Sequence, residues 1–166
     1  MAQQEYGFFQ PAKLIFAKEA LSQVAEQAKK LGSKVLVVTD KPMKATGLLD
    51  PILEDLKKIE MPFEIWDDIV PNPRDTDIDK GGDFAKEVGV DVLIALGGGS
   101  VMDTAKAIGG LITNGGKTKD WYGDKLVCPI APLICVPTTC GTGSEVTHES
   151  GVIITRSRWQ FLILWY

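Results

Sequence analysis

The chain of 166 residues is long enough for one well-buried domain and too short for a second full one. Its 45% hydrophobic and 24% charged residues are ordinary for a globular protein and far from the disordered regime. A net charge of -4, with 18 Lys+Arg against 22 Asp+Glu and no basic cluster, sets the expectation of no nucleic-acid partner. No apolar run approaches the roughly 18 residues of a membrane span and no leader-like segment opens the sequence, so no membrane partner and a cytoplasmic location are expected. Cys128, Cys135 and Cys140 suggest neither a disulfide framework nor a paired zinc knuckle, and read as buried or incidental thiols of a reducing compartment.

In chain order, Tyr6-Gly7-Phe8-Phe9 and Lys13-Leu14-Ile15-Phe16 read as short strand pieces broken by Pro11, a hairpin or edge element. From Glu19 to Leu31 the positions Ala20, Leu21, Val24, Ala25 and Ala28 recur at helical spacing, ending at Gly32. Lys34 to Asp40 is a continuous apolar run closing on a carboxylate, the pattern of a strand covered on both faces. A helix over Leu48 to Ile59 and the alternating strand Phe63-Glu64-Ile65-Trp66 follow, then the stiff loop Val70-Pro71-Asn72-Pro73. A helix over Asp75 to Val88 leads through Gly89 to a strand over Asp91 to Leu96. Three glycines come next, and then a helix over Val101 to Leu111 whose end Gly109-Gly110 should weaken. The polar, turn-rich Asn114 to Leu126, with Trp121 and Tyr122, is expected at the surface. Pro132 to Pro137 is the next buried-type strand. Strand and helix alternate throughout, which predicts an α/β fold with a mostly parallel sheet, right-handed crossovers and helices on both faces.

The chemistry concentrates where strands end. At Gly97-Gly98-Gly99-Ser100 the lack of Cβ atoms lets a diphosphate lie against bare amides, and the next helix offers unpaired N–H groups and its positive dipole end. A plain strand-to-helix turn would need only one glycine. Asp40 either takes both hydroxyls of an adenosine ribose, favouring NAD over NADP, or simply caps the next turn. Ser100 also suits the N-cap, and Asp103, placed in the first helical turn, suits the dipole or a polar contact near a nicotinamide. The run Thr138-Thr139-Cys140-Gly141-Thr142-Gly143-Ser144 is crowded with small hydroxyl residues, as a loop wrapping a ligand would be. Asn72 could face the adenine side of a nucleotide or only hold its own turn. His148, the sole histidine, cannot form a His-rich metal site or a Ser-His-Asp triad and reads as a surface or loop residue.

Taken together and in this order, Val37-Val38-Thr39-Asp40, Val70-Pro71-Asn72-Pro73, Gly97 through Lys106 and Pro137 through Thr147 resemble the N-terminal domain of the iron-containing (group III) alcohol dehydrogenases, over roughly residues 5 to 155. The resemblance implies a Rossmann-like cofactor domain, residues 1–155, joined in the family to a helical domain whose one Asp and three His hold a divalent iron. That ion polarises an alcohol oxygen while hydride passes to or from nicotinamide. It assigns the adenine ribose to Asp40 and the adenosine moiety to Asn72. The diphosphate falls to Gly98, Gly99 and Ser100, and the nicotinamide side to Asp103, Thr138, Thr139, Thr142 and Thr147, with Gly97 of the same turn also expected to bind the cofactor. NAD is the expected cofactor, with NADP left open. The wider superfamily includes zinc enzymes such as glycerol dehydrogenase and dehydroquinate synthase, but the threonine-glycine run favours the iron branch.

The helical domain, and with it every iron ligand and catalytic residue of the metal site, is expected to lie outside this chain. The chain alone is therefore expected to carry the cofactor half of a dehydrogenase for a small alcohol or aldehyde, without turnover. The alternative is a non-enzymatic nucleotide-binding module or oligomeric remnant. Residues 156–166 form an atypical apolar tail, which departs from the family continuation and suggests a truncated or frame-shifted product. Such an uncharged tail is either a strand completing the sheet or a sticky surface, and predicts a homo-oligomer, most simply a dimer.

Overall fold

The computed structural model describes residues 13–121, 126–147, 149–153 and 160–164. The expected strand piece Tyr6-Gly7-Phe8-Phe9, together with Tyr122, His148 and most of the tail, lies outside the described residues.

Two aliphatic runs form the centre. Strand β1 (Val35–Val38) and strand β3 (Val92–Gly97) are buried along their whole length and pair in parallel, Val35 opposite Val92. Strand β2 (Phe63–Trp66) adds to the outer side of β1, and strand β4 (Leu133–Pro137) to the outer side of β3. The sheet is entirely parallel with order β2-β1-β3-β4. Alternation along the strands splits the core into two layers. Leu36, Val38, Leu93 and Ala95 pack on one face with Ile78, Ala85, Met102, Ala105, Ile108 and Leu111 of helices α4 (Asp75–Val88) and α5 (Gly99–Asn114). Val35, Val37, Val92, Ile94 and Leu96 pack on the other with Ala25, Ala28, Ile52 and Leu56 of helices α1 (Val24–Leu31) and α3 (Asp50–Lys58). The expected parallel sheet with helices on both faces is thus observed.

Helix α4 occupies the anticipated residues, and Gly89 closes it in the left-handed region at φ 68°. Elsewhere the boundaries move. The helix expected from Leu48 to Ile59 is preceded by a separate short helix α2 (Lys41–Ala45), and α3 begins only at Asp50, with Pro51 in its first turn. Helix α5 starts at Gly99 and passes through Gly109-Gly110 to Asn114 without weakening. A Cβ on Gly109 would lie 3.0 Å from Leu93 Cδ1, and one on Gly82 of α4 only 2.4 Å from Leu111 Cδ1, so these glycines exist for close packing.

Lys13 to Phe16 forms no strand; among the described residues no neighbour offers it a ladder, and Phe16 is fully exposed. In the segment after α5, expected at the surface, Gly116, Lys119 and Asp120 are exposed, but Trp121 is buried in the core shared by α4 and α5, and Thr118 is buried against the Asp79 carboxylate of α4. Strands β5 (Glu149–Ile153) and β6 (Gln160–Leu164) make a separate antiparallel pair, so the tail is a strand but does not extend the main sheet.

Candidate functional site

Between β1 and β3 the chain departs in opposite directions, β1 leading to β2 on one side and β3 to β4 on the other. At such a switch point the loops part and leave a crevice beyond the carboxyl ends of the strands. The rim is tied together by Thr39, whose buried hydroxyl donates to the Leu96 carbonyl at 2.9 Å. Sequence reading passed over Thr39; its only signal was a hydroxyl closing an aliphatic run.

The glycine turn forms one lip. Gly98 is the N-cap of α5 with extended backbone, φ -85° and ψ -170°, and its carbonyl accepts from Val101 N and Met102 N, both at 3.1 Å. No side chain caps this helix. Ser100, expected as N-cap, sits inside the first turn instead, because the chain enters the helix at Gly99. The requirement for glycine at Gly98 and Gly99 is one of space, not of dihedral angle. A Cβ on Gly98 would meet Thr139 Oγ1 at 3.0 Å, and one on Gly99 would meet Thr142 Cγ2 at 2.7 Å and Oγ1 at 3.0 Å. On Gly97 it would strike Val101 Cγ2 at 2.6 Å.

The loop after β4 forms the second lip. Thr138 N donates to the Gly97 carbonyl at 3.0 Å, fixing the loop to the glycine turn. Gly143 takes φ 68° so that its carbonyl receives Val146 N and Thr147 N. Thr142 Oγ1 accepts from Ser144 N at 3.3 Å. The exposed Thr139 and Thr142 hydroxyls thus stand beside the uncapped start of α5. Bare amides, a positive helix end and small hydroxyls in one place can hold an anion.

Deeper in, Asp103 lies one turn further along α5 than expected, and the first turn carries no acid. Its carboxylate accepts from Gly151 N at 3.1 Å and its carbonyl from Ser150 Oγ at 2.8 Å, which clasps β5 to the helix. Burial raises the Asp103 pKa above the ordinary carboxylate value, opposed by Gly151 N and by Lys106. Lys106 is buried at 4% exposure, with its ammonium 3.0 Å from Thr147 Oγ1 and 3.9 Å from Asp103. It was not singled out from sequence, although its i,i+3 spacing from Asp103 puts the two on one helix face. Cys135 on β4 is pushed up to about 11 by burial, so its thiol stays protonated.

Asp40 ends β1 and caps α2, its Oδ1 accepting from Met43 N at 2.7 Å. Of its two expected roles the cap is therefore realised through one carboxylate oxygen. Asn72 follows β2 with φ 55° and is exposed, which fits a turn role; the neighbouring Pro73 carbonyl accepts from Ile153 N at 2.9 Å. The structure brings Gly97, Gly98, Gly99, Ser100, Asp103, Thr138, Thr139, Thr142 and Thr147 into one connected set and places Asp40 across the switch point from them. Asn72 lies in the loop between β2 and α4, next to Pro73, which joins that loop to β5.

Comparison with known proteins shows which family this fold and sequence belong to. The family model for iron-containing alcohol dehydrogenase matches residues 11–162. The NAD-dependent methanol dehydrogenase of Bacillus methanolicus is 36% identical over 152 residues, 90% of this chain and 39% of the relative. The crystal structure of a 1,3-propanediol oxidoreductase superposes with TM-score 0.90 at 32% identity, covering 97% of this chain and 43% of the other. A sulfoacetaldehyde reductase from Bifidobacterium kashiwanohense, solved in complex with NAD+, gives TM-score 0.85 at 25% identity, covering 98% and 43%. The chain therefore spans about two fifths of the length of these relatives. With the family model covering nearly the whole chain, this protein belongs to the iron-containing alcohol dehydrogenase family.

Proposed function

We propose that this chain is the NAD-binding part of an alcohol dehydrogenase acting on a small alcohol or aldehyde. One observation carries the reading: α5 starts at a glycine turn with no side-chain cap, and Gly98 and Gly99 lie directly against the Thr139 and Thr142 hydroxyls. A dinucleotide fits that cradle. Its diphosphate would rest on Gly97, Gly98, Gly99 and Ser100, and its adenine ribose against the Asp40 oxygen not used as a cap. Asn72 would approach the adenosine moiety, and Thr138, Thr139, Thr142, Thr147 and Asp103 would bound the nicotinamide side. Bound NAD supplies the hydride acceptor for alcohol oxidation. Lys106 and Asp103, linked to Thr147 and β5, hold that side of the crevice in place.

The family name implies iron. Among the described residues no group of three or more His, Cys, Asp or Glu could hold a metal ion, so the residues present do not fit that ion and no step is derived through it. The test is a fluorescence titration of the full chain with NADH, followed by ethanol or 1,3-propanediol with ferrous iron and NAD. Saturable binding supports the cofactor reading, and binding without turnover identifies a nucleotide-binding module. Absence of binding overturns the reading.

We also propose a homo-oligomer, supported by the exposed Leu14 and Phe16 and by the uncharged Gln160–Leu164 strand. A monodisperse monomer in sedimentation at micromolar concentration refutes it. Three free thiols, two of them exposed, support a reducing, cytoplasmic setting. No helix among the described residues is long and apolar enough to cross a membrane.

A further inference from the structure

Around the ribose end of the crevice, two lysines follow the ribose-facing carboxylate almost at once: Lys41 and Lys44 lie in α2, directly after Asp40. Free ammonium groups in that position would welcome the extra 2′-phosphate of NADP. Neither is free. Lys41 Nζ donates to Asp68 Oδ1 at 3.0 Å, and Lys44 Nζ to Asp67 Oδ2 at 2.6 Å. Asp67 and Asp68 immediately follow β2, the strand beside β1, so both carboxylates stand on the same edge of the sheet as Asp40. The five groups sum to one net negative charge, three carboxylates against two ammoniums. The pairing is reflected in both partners: the hydrogen bond to Asp68 raises the Lys41 pKa, and that from Lys41 lowers that of Asp68.

We propose that Asp67 and Asp68 are specificity-determining residues that, with Asp40, exclude NADP: they occupy the two lysines that would otherwise receive a 2′-phosphate and leave the ribose end negative. The inference rests on the dinucleotide reading given above and extends it to residues that the motifs do not mark. A 2′-phosphate brings close to two negative charges, whereas the ribose hydroxyl of NAD brings none. The carboxylates therefore discriminate between the two cofactors without weakening NAD. Exposed ion pairs contribute little to folding, so these two are dispensable for stability and open to a binding role.

The experiment compares NADH and NADPH dissociation constants for the wild-type chain, for Asp67→Asn/Asp68→Asn, and for Asp55→Asn/Asp83→Asn. The last removes the acidic partners of Lys58 and Lys117, Asp55 on α3 and Asp83 on α4, away from Asp40. The wild type is expected to prefer NADH. In Asp67→Asn/Asp68→Asn the NADH constant should hold, while NADPH binding should tighten about tenfold at low salt and by less at high salt, as screening requires. The control variant should keep the wild-type ratio. An unchanged ratio in Asp67→Asn/Asp68→Asn, an equal shift in the control, or a wild type that binds both cofactors equally well overturns the inference while leaving the dinucleotide reading standing. A wild type that binds neither overturns both.

Discussion

Replacing Gly99 by alanine separates the two jobs that a glycine can do at the start of α5. The backbone there accepts alanine, so the new methyl acts only through space. It would sit 2.7 Å from Thr142 Cγ2 and 3.0 Å from Thr142 Oγ1, so the threonine must retreat before ordinary contact is restored. Thr142 is exposed in a loop and can retreat, which puts the cost near the lower end of overpacking, about 1 kcal/mol, with a few tenths returned by helix propensity. In a chain of this size that lowers Tm by about 2–4 °C. Binding should suffer more. On the proposed reading a diphosphate rests on this turn, and if the methyl and the displaced Thr142 cost it one charge-assisted hydrogen bond of about 1.5–3 kcal/mol, NADH weakens by one to two orders of magnitude. The double variant Gly99→Ala/Thr142→Ser removes the clashing Cγ2 and keeps the hydroxyl. It should recover part of the lost stability in a thermal melt while NADH affinity, read by fluorescence, stays low. If Gly99→Ala binds NADH within twofold of the wild type, the glycine serves loop packing alone and the diphosphate lies elsewhere.

Gly82→Ala should cost about 2–3 kcal/mol in urea unfolding, because its Cβ would lie 2.4 Å from Leu111 Cδ1 in a buried helix contact where neither side can yield. Gly89→Ala meets open space yet should still cost about 1 kcal/mol, since its φ of 68° is a conformation that alanine resists. Asp103→Asn tests burial of the carboxylate. Its folded pKa is raised, so the folded state holds the proton more tightly than the unfolded chain, and ionisation costs stability as pH rises from the ordinary carboxylate value through the raised one. The stability of Asp103→Asn relative to the wild type should therefore climb across that window, and a flat difference refutes it. Iodoacetamide at pH 8 should label Cys128 and Cys140 quickly and Cys135 slowly, as its pKa of about 11 keeps the thiol protonated. Mass spectrometry should also show NADH shielding Cys140, which lies in the loop beside the glycine turn, but not Cys128.

What was legible in the sequence was whatever a single segment decides for itself. The aliphatic runs of β1 and β3 announce strands covered on both faces, and Gly89 marks the end of α4 because left-handed backbone is a local demand. The glycine turn is local too, since absent Cβ atoms are visible in a sequence. Where a residue's environment comes from distant chain, the pattern misleads. Gly109-Gly110 looked like a helix ending, yet the partners that press on Gly109 are Leu93, Ile130 and Ala131, and with them in place the helix runs on. Trp121 sits in a polar stretch that promised the surface, but its burial is provided by α4 and α5.

The same division runs through the site. The proposed diphosphate end is built from consecutive residues of one turn, so its chemistry can be read from composition and order. The proposed nicotinamide end is not. Lys106 would be assigned to solvent by any rule about charged residues in helices, yet it is buried, and its ammonium meets the Thr147 hydroxyl from 41 residues later. Asp103 has its pKa raised by burial, and that rise is opposed by β5, whose Gly151 amide, 48 residues away in sequence, donates to the carboxylate. A cradle for an anion can thus be specified by a few adjacent glycines, whereas the polar wall beside it depends on the loop after β4 and on β5 folding back over α5. Disturbing that return, by opening the Asp103 to Gly151 bond, should loosen the nicotinamide side while leaving the amide cradle of Gly98 and Gly99 intact.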